Sequence, residues 1–99
     1  MAMRDYCRVS EKDLCNAILK YNNTDLVANI KGALGIVLVL ENASILISEN
    51  MIYLVDNGIN EYRFEIWKDT INLVDIDEDF IELKLIDDGM ITYLRLGNE

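Results

Sequence analysis

Four carboxylates stand within five positions of the stretch DIDEDF, residues 75–80: Asp75, Asp77, Glu78 and Asp79. Carboxylates this close can ligate a hard cation, meet a basic partner or stand solvated at a turn. Asp75, Asp77 and Asp79 have the one-three-five spacing that opens a calcium-binding helix–loop–helix loop. The other requirements are unmet. The sixth position needs glycine and holds Phe80, the twelfth needs glutamate and holds Ile86, and the flanks alternate as strands do. No metal site is expected here. The stretch reads as an exposed turn, because burying several unpaired anions is prohibitive.

The excess of acid extends further. Over residues 75–88 seven acids, Asp75, Asp77, Glu78, Asp79, Glu82, Asp87 and Asp88, stand against one base, Lys84. Part of that charge keeps a sheet soluble. The rest suits recognition of a basic partner, since acidic surfaces can offer carboxylates where phosphates would lie in a nucleic-acid-binding groove.

Catalytic chemistry is poorly provided for. The chain has no histidine, which removes the commonest general base. Ser10, Ser44 and Ser48 lie in no nucleophile motif. GALG, residues 32–35, is too short for a phosphate-binding loop and lacks the lysine and hydroxyl residue that follow one. Cys7 and Cys15 flank the start of an expected helix, where a thiol pKa can be depressed, but no base accompanies them. Their spacing is not that of a zinc site, and in a reducing compartment both are expected as free thiols. No cofactor and no catalysis are expected.

The elements that must carry these residues change character along the chain. Residues 10–21 have helical periodicity: Ser10 as N-cap, Glu11 and Asp13 in the first turn, and Leu14, Ala17, Ile18 and Tyr21 on one apolar face. Thr24 opens a second short helix through Leu26, Val27 and Ile30, ending near Gly32. From residue 35 the period becomes two, with strands over about 35–41, 44–49, 51–56, 61–67, 71–76, 79–87 and 90–96. The longest apolar run, ALGIVLVL at 33–40, is too short to cross a bilayer and reads as a buried strand.

Two turn signals set registers. Asp88-Gly89 predicts a two-residue hairpin that pairs Leu85 with Thr92, Leu83 with Leu94 and Ile81 with Leu96 on one face, and Ile86 with Ile91, Lys84 with Tyr93 and Glu82 with Arg95 on the other. Asn57-Gly58 predicts a second such hairpin, with Tyr53 facing Tyr62, Met51 facing Phe64, and Tyr62, Phe64 and Ile66 inward. Trp67 then falls on the outer face with Glu61, Arg63 and Glu65, placed to anchor a partner. Ile86, Ile91 and Tyr93 share an outer face and form a candidate contact between copies of the chain.

The expected fold is α+β in one domain: a helical segment over 1–34, then a strongly bent antiparallel meander or open barrel of about six to seven strands over 35–99, with the helix over one opening. The opening residues lack a secretory signal, so a cytosolic protein is expected. Net charge is −9, and its distribution is uneven. Residues 1–31 hold five bases against four acids, and residues 32–99 four bases against fourteen acids. Such a surface repels nucleic acid and anionic lipid and attracts basic proteins.

Two functions fit. The first is a non-catalytic binding protein that inhibits or sequesters a basic, nucleic-acid-binding partner. Its composition resembles phage anti-defence proteins, immunity proteins and nucleic-acid mimics. Its contact residues would be Asp75, Asp77, Glu78, Asp79, Glu82, Asp87, Asp88, Trp67 and Tyr93. The second is an assembly subunit, a homodimer or larger oligomer built through Ile86, Ile91 and Tyr93.

Overall fold

The described chain enters through a pair of two-residue strands. The computed structural model describes residues 5–6 and 9–98. In it β1 (Asp5–Tyr6) and β2 (Val9–Ser10) form a short antiparallel ribbon. Helix α1 follows (Glu11–Leu19), and its start obeys local chemistry: Ser10 Oγ accepts the Asp13 N–H at 3.1 Å, with Glu11 and Asp13 in the first turn. Leu14, Ala17, Ile18 and Tyr21 are buried, as their helical spacing requires.

The second helix does not form. Residues 26–31 are strand β3 (Leu26–Lys31). The Thr24 hydroxyl donates to the Tyr21 carbonyl at 2.6 Å, closing the turn that leaves α1 instead of capping a new helix. Leu26 and Ala28 are buried while Val27 and Asn29 between them are half-buried. A strand here also satisfies its backbone on both sides, by pairing with β4 (Gly35–Leu40) and with β10 (Met90–Asn98).

The other strands are β5 (Ser44–Ile47), β6 (Met51–Val55), β7 (Arg63–Trp67), β8 (Ile71–Ile76) and β9 (Phe80–Asp87), with one 3₁₀ turn at Lys68–Thr70. They make a five-stranded antiparallel sheet in the order β4-β3-β10-β9-β8 and a three-stranded sheet β5-β6-β7. The expected single bent sheet or barrel is therefore two separate sheets, with no closed barrel. Inward residues of both sheets, among them Leu83, Leu94, Leu96, Leu54 and Ile66, join α1 in one hydrophobic cluster. Burying two half-apolar sheets against each other removes the need to close either one.

The β9–β10 hairpin has the predicted register at every pair, from Met90 opposite Asp87 to Leu96 opposite Ile81. Asp88 and Gly89 both have positive φ, 50° and 80°, as a type I′ turn demands. The Asn57-Gly58 turn is different. Residues 56–62 form a loop, and β6 pairs with β7 as Tyr53 with Glu65, Leu54 with Phe64 and Met51 with Trp67. The cause is the side chain before the turn. Asp56, only 3 % exposed, accepts the Gly58 N–H and the Glu41 N–H, both at 2.8 Å. Asn57 Nδ2 donates to the Asn42 carbonyl and to Ser44 Oγ. Both side chains are committed to holding the β4–β5 turn, so they do not close a hairpin. Tyr62 is accordingly left exposed, and Tyr53 is half-buried under the Arg63 guanidinium, 4.6 Å from its ring centre.

ALGIVLVL also departs from its expected place. Its strand β4 is an edge of the five-stranded sheet, and Ile36, Val37 and Val39 are exposed. Leu40 alone in that strand is fully buried.

One ion pair ties the helix to the 3₁₀ turn between β7 and β8. Lys68, 6 % exposed, places Nζ 2.8 Å from Glu11 Oε1. Removing the Glu11 carboxylate leaves the buried Lys68 charge unpaired. Glu11→Gln should lower unfolding free energy by about 3 kcal/mol, whereas Lys68→Met paired with Glu11→Gln should recover much of that loss; urea titration of the single and double variants measures both.

The Asp56 carboxyl is held below its ordinary value, first by the Gly58 N–H, with burial opposing and the Glu41, Tyr62 and Glu61 amides adding to the lowering. A lowered folded-state pKa contributes stability that is present above the unfolded value and lost as pH falls through the folded one. Asp56→Asn should therefore lower Tm at neutral pH and flatten the acid limb of the Tm–pH curve below about pH 4, the ordinary aspartate range.

Candidate functional site

The seven acids of residues 75–88 do not form one patch. Strand β9 separates them: Asp79 precedes it and Asp87 ends it. At ~3.3 Å per residue the two lie roughly 26 Å apart. Asp75 and Glu82 face each other across β8 and β9 on the outer face of the sheet. Glu82 is already engaged there by Arg95, at 2.9 Å and 3.0 Å from its guanidinium nitrogens. Asp87 and Asp88 stand at the opposite end, where Asp87 joins Trp67, Met90 and Phe64 around a depression of about 350 Å³.

The outer face is of mixed charge. The cross-strand row Lys31–Tyr93–Lys84–Leu73 lies beside the row Asn29–Arg95–Glu82–Asp75. Tyr93 is exposed between two lysines, and Arg95 stacks on Phe80 at 4.2 Å. Ile86 and Ile91 pair directly on this face and both are exposed. Trp67, 53 % exposed, belongs to the other sheet.

What the fold does assemble is an acidic end. The β8–β9 turn carries Asp77, Glu78 and Asp79, all exposed. Its shape is set locally: the Asp77 N–H donates to the Phe80 carbonyl at 2.9 Å, and Asp77 Oδ1 accepts the Asp79 N–H at 3.3 Å. Strand order brings two more exposed acids to the same end, Asp25 ahead of β3 and Glu41 after β4. Five strands span roughly 19 Å at ~4.8 Å spacing, so these carboxylates fringe one narrow side of the sheet. Asp25 and Glu41 carry no motif. Only the pairing of β3 between β4 and β10 makes them neighbours of the turn.

Between this turn and the end of α1 lies a cleft of about 370 Å³. Asp77, Glu78 and Asp79 form one wall, Lys20 and Tyr21 the other, and Ala17, Ile76 and Ile81 supply apolar lining. Tyr21 is buried to 8 % exposure, and its hydroxyl pKa is raised above the ordinary value, first by burial and then by the charge of Asp79. Among the described residues no group of three Asp, Glu or Cys side chains is placed to hold a metal ion.

Cys15 keeps its expected free thiol but not a depressed pKa. Cys15 is a free, partly buried thiol. Burial pushes its pKa up, with Lys68 opposing and Glu11 adding to the rise, so it is not the activated thiol that a helix start can produce. Cys7 lies outside the described residues. No helix among the described residues is long and apolar enough to cross a membrane. No protein-family model, curated protein or solved structure matches the chain.

The Asp79 charge disfavours the Tyr21 phenolate, so removing it lowers the energy of that phenolate. Asp79→Asn should bring Tyr21 ionisation down part of the way toward ~10 and leave the contribution of burial. Tyrosine ring NMR titration of wild type and variant reads both.

Proposed function

We propose that the protein is a small, non-catalytic binding module that captures a basic protein partner in the cytosol through its acidic end. Asp77, Glu78 and Asp79 on the wall of a cleft with apolar lining, with Asp25 and Glu41 exposed farther along the same end of the sheet, carry this reading. An arginine or lysine suits such a cleft. Its alkyl stem packs on Ala17, Ile76 and Ile81 while its charged head meets the turn carboxylates. The fringe of acids guides approach and selects against acidic and nucleic-acid partners. A protein whose basic surface binds nucleic acid is the partner class this favours, because carboxylates spaced along an edge can occupy the places of phosphates. Binding there would sequester that surface.

The test is capture from nuclease-treated extract by tagged wild type and by the triple variant Asp77→Asn, Glu78→Gln, Asp79→Asn. These positions are exposed, so the variant should fold. The reading expects a basic protein held by wild type at low salt, released by high salt, and bound at least about tenfold more weakly by the triple variant. Equal capture by both, or capture indifferent to salt, overturns it.

A further inference from the structure

We propose that β4 is a docking edge for the β4 strand of a second copy of the chain, giving a two-fold symmetric dimer with one continuous ten-stranded sheet. It shares Asp25 and Glu41 with the partner reading above but does not rest on it, since its test reads the mass of the protein alone.

The two edges of the five-stranded sheet are built differently. The β8 edge carries Asp75 and a register irregularity between Ile71 and Leu73, two devices that discourage further pairing. The β4 edge has neither. Its register with β3 runs unbroken from Leu26 opposite Leu40 to Lys31 opposite Gly35. Half of its backbone donors and acceptors point away from β3, and no strand of the described residues meets them. Its side chains are apolar on both faces: Val37 (60 % exposed) and Val39 outward, Ile36 (49 %) and Leu38 inward. Leu34, just before it, is 79 % exposed.

Charge decides the occupant. In a chain of net charge −9, residues 32–40 form the longest run without a charged residue. Two copies repel over much of their surfaces and can approach closely along this segment. The two ends of the strand are unlike: Lys31 lies across from Gly35, and Glu41 follows Leu40 with Asp25 nearby. Parallel pairing would set acid against acid. Antiparallel pairing sets the Lys31 end of one copy beside the Glu41 end of the other, two strand spacings or about 10 Å apart and so about one Debye length, with Asp25 one strand farther. Lys31 has no ion-pair partner within its own chain among the described residues. A register about Val37 or Leu38 keeps outer face with outer face, so that the valines of the two copies adjoin. A two-fold contact of this kind uses up the edge and closes at two chains.

Sedimentation equilibrium on wild type, Val37→Lys, Lys31→Glu and the double variant Lys31→Glu, Glu41→Lys tests this, with far-UV circular dichroism to confirm the fold. Wild type should have the mass of two chains at micromolar concentration. Val37→Lys, at an exposed position, should weaken the dimer about tenfold or more. Lys31→Glu should weaken it at low salt, and adding Glu41→Lys should restore it. A single-chain mass for wild type at high micromolar concentration overturns the proposal and leaves the edge to a foreign strand or to none. So does an open-ended series of masses, or a dimer indifferent to Val37→Lys.

Discussion

The pairing of β3 with β10 is the constraint on which this structure depends. It joins residues more than sixty positions apart, Lys31 opposite Tyr93 and Leu26 opposite Asn98. Without it the hairpin β9–β10 would have an open edge and β4 would have no sheet to join. The pairing places Leu26 and Ala28 in the core beside Leu94 and Leu96 and closes the loop that contains β4 to β9. Loop closure over that distance costs entropy before any contact offsets it, so the local hairpins are expected to precede it in folding.

That single pairing also sorts the charge. It draws Asp25 toward the β8–β9 turn and makes an acidic end from residues scattered over the sequence. The length of β9 carries Asp87 and Asp88 to the far end. A run of seven acids in the chain becomes two separated groups and one neutralised position, where Arg95 meets Glu82. The same topology leaves Lys31 near one end of β4 and Glu41 at the other. Polarity along the sheet, not total charge, is what gives the surface distinct places to bind.

Much of the local structure was legible because its causes are local. Ser10 caps α1 because a hydroxyl reaches the amide three residues on. Asp88-Gly89 closes a hairpin because both residues tolerate positive φ, and the alternation of Ile81, Leu83 and Leu85 then sets every pair. Two of the misread places show non-local causes directly. Asn57-Gly58 looks like a hairpin turn, but Asp56 and Asn57 bond to residues of the β4–β5 turn about fifteen positions away. Leu26 to Ile30 fits a helix about as well as a strand, and β10 decides between them. The acidic turn was legible as a turn; its company of Asp25, Glu41 and Tyr21 was not.

Sequence alone determined the helix start, the strand segments from residue 35 onward, the last hairpin with its register and the exposed acidic turn, since each follows from neighbouring side chains. Tertiary structure alone decided that two sheets form in place of a barrel and that residues 26–31 are a strand. It also decided that the most apolar strand is an edge. Periodicity reports whether a segment alternates, and a strand apolar on both faces alternates with nothing. Whether such a strand is central or peripheral depends on which other strands reach it, and here β3 reaches β4 from one side only.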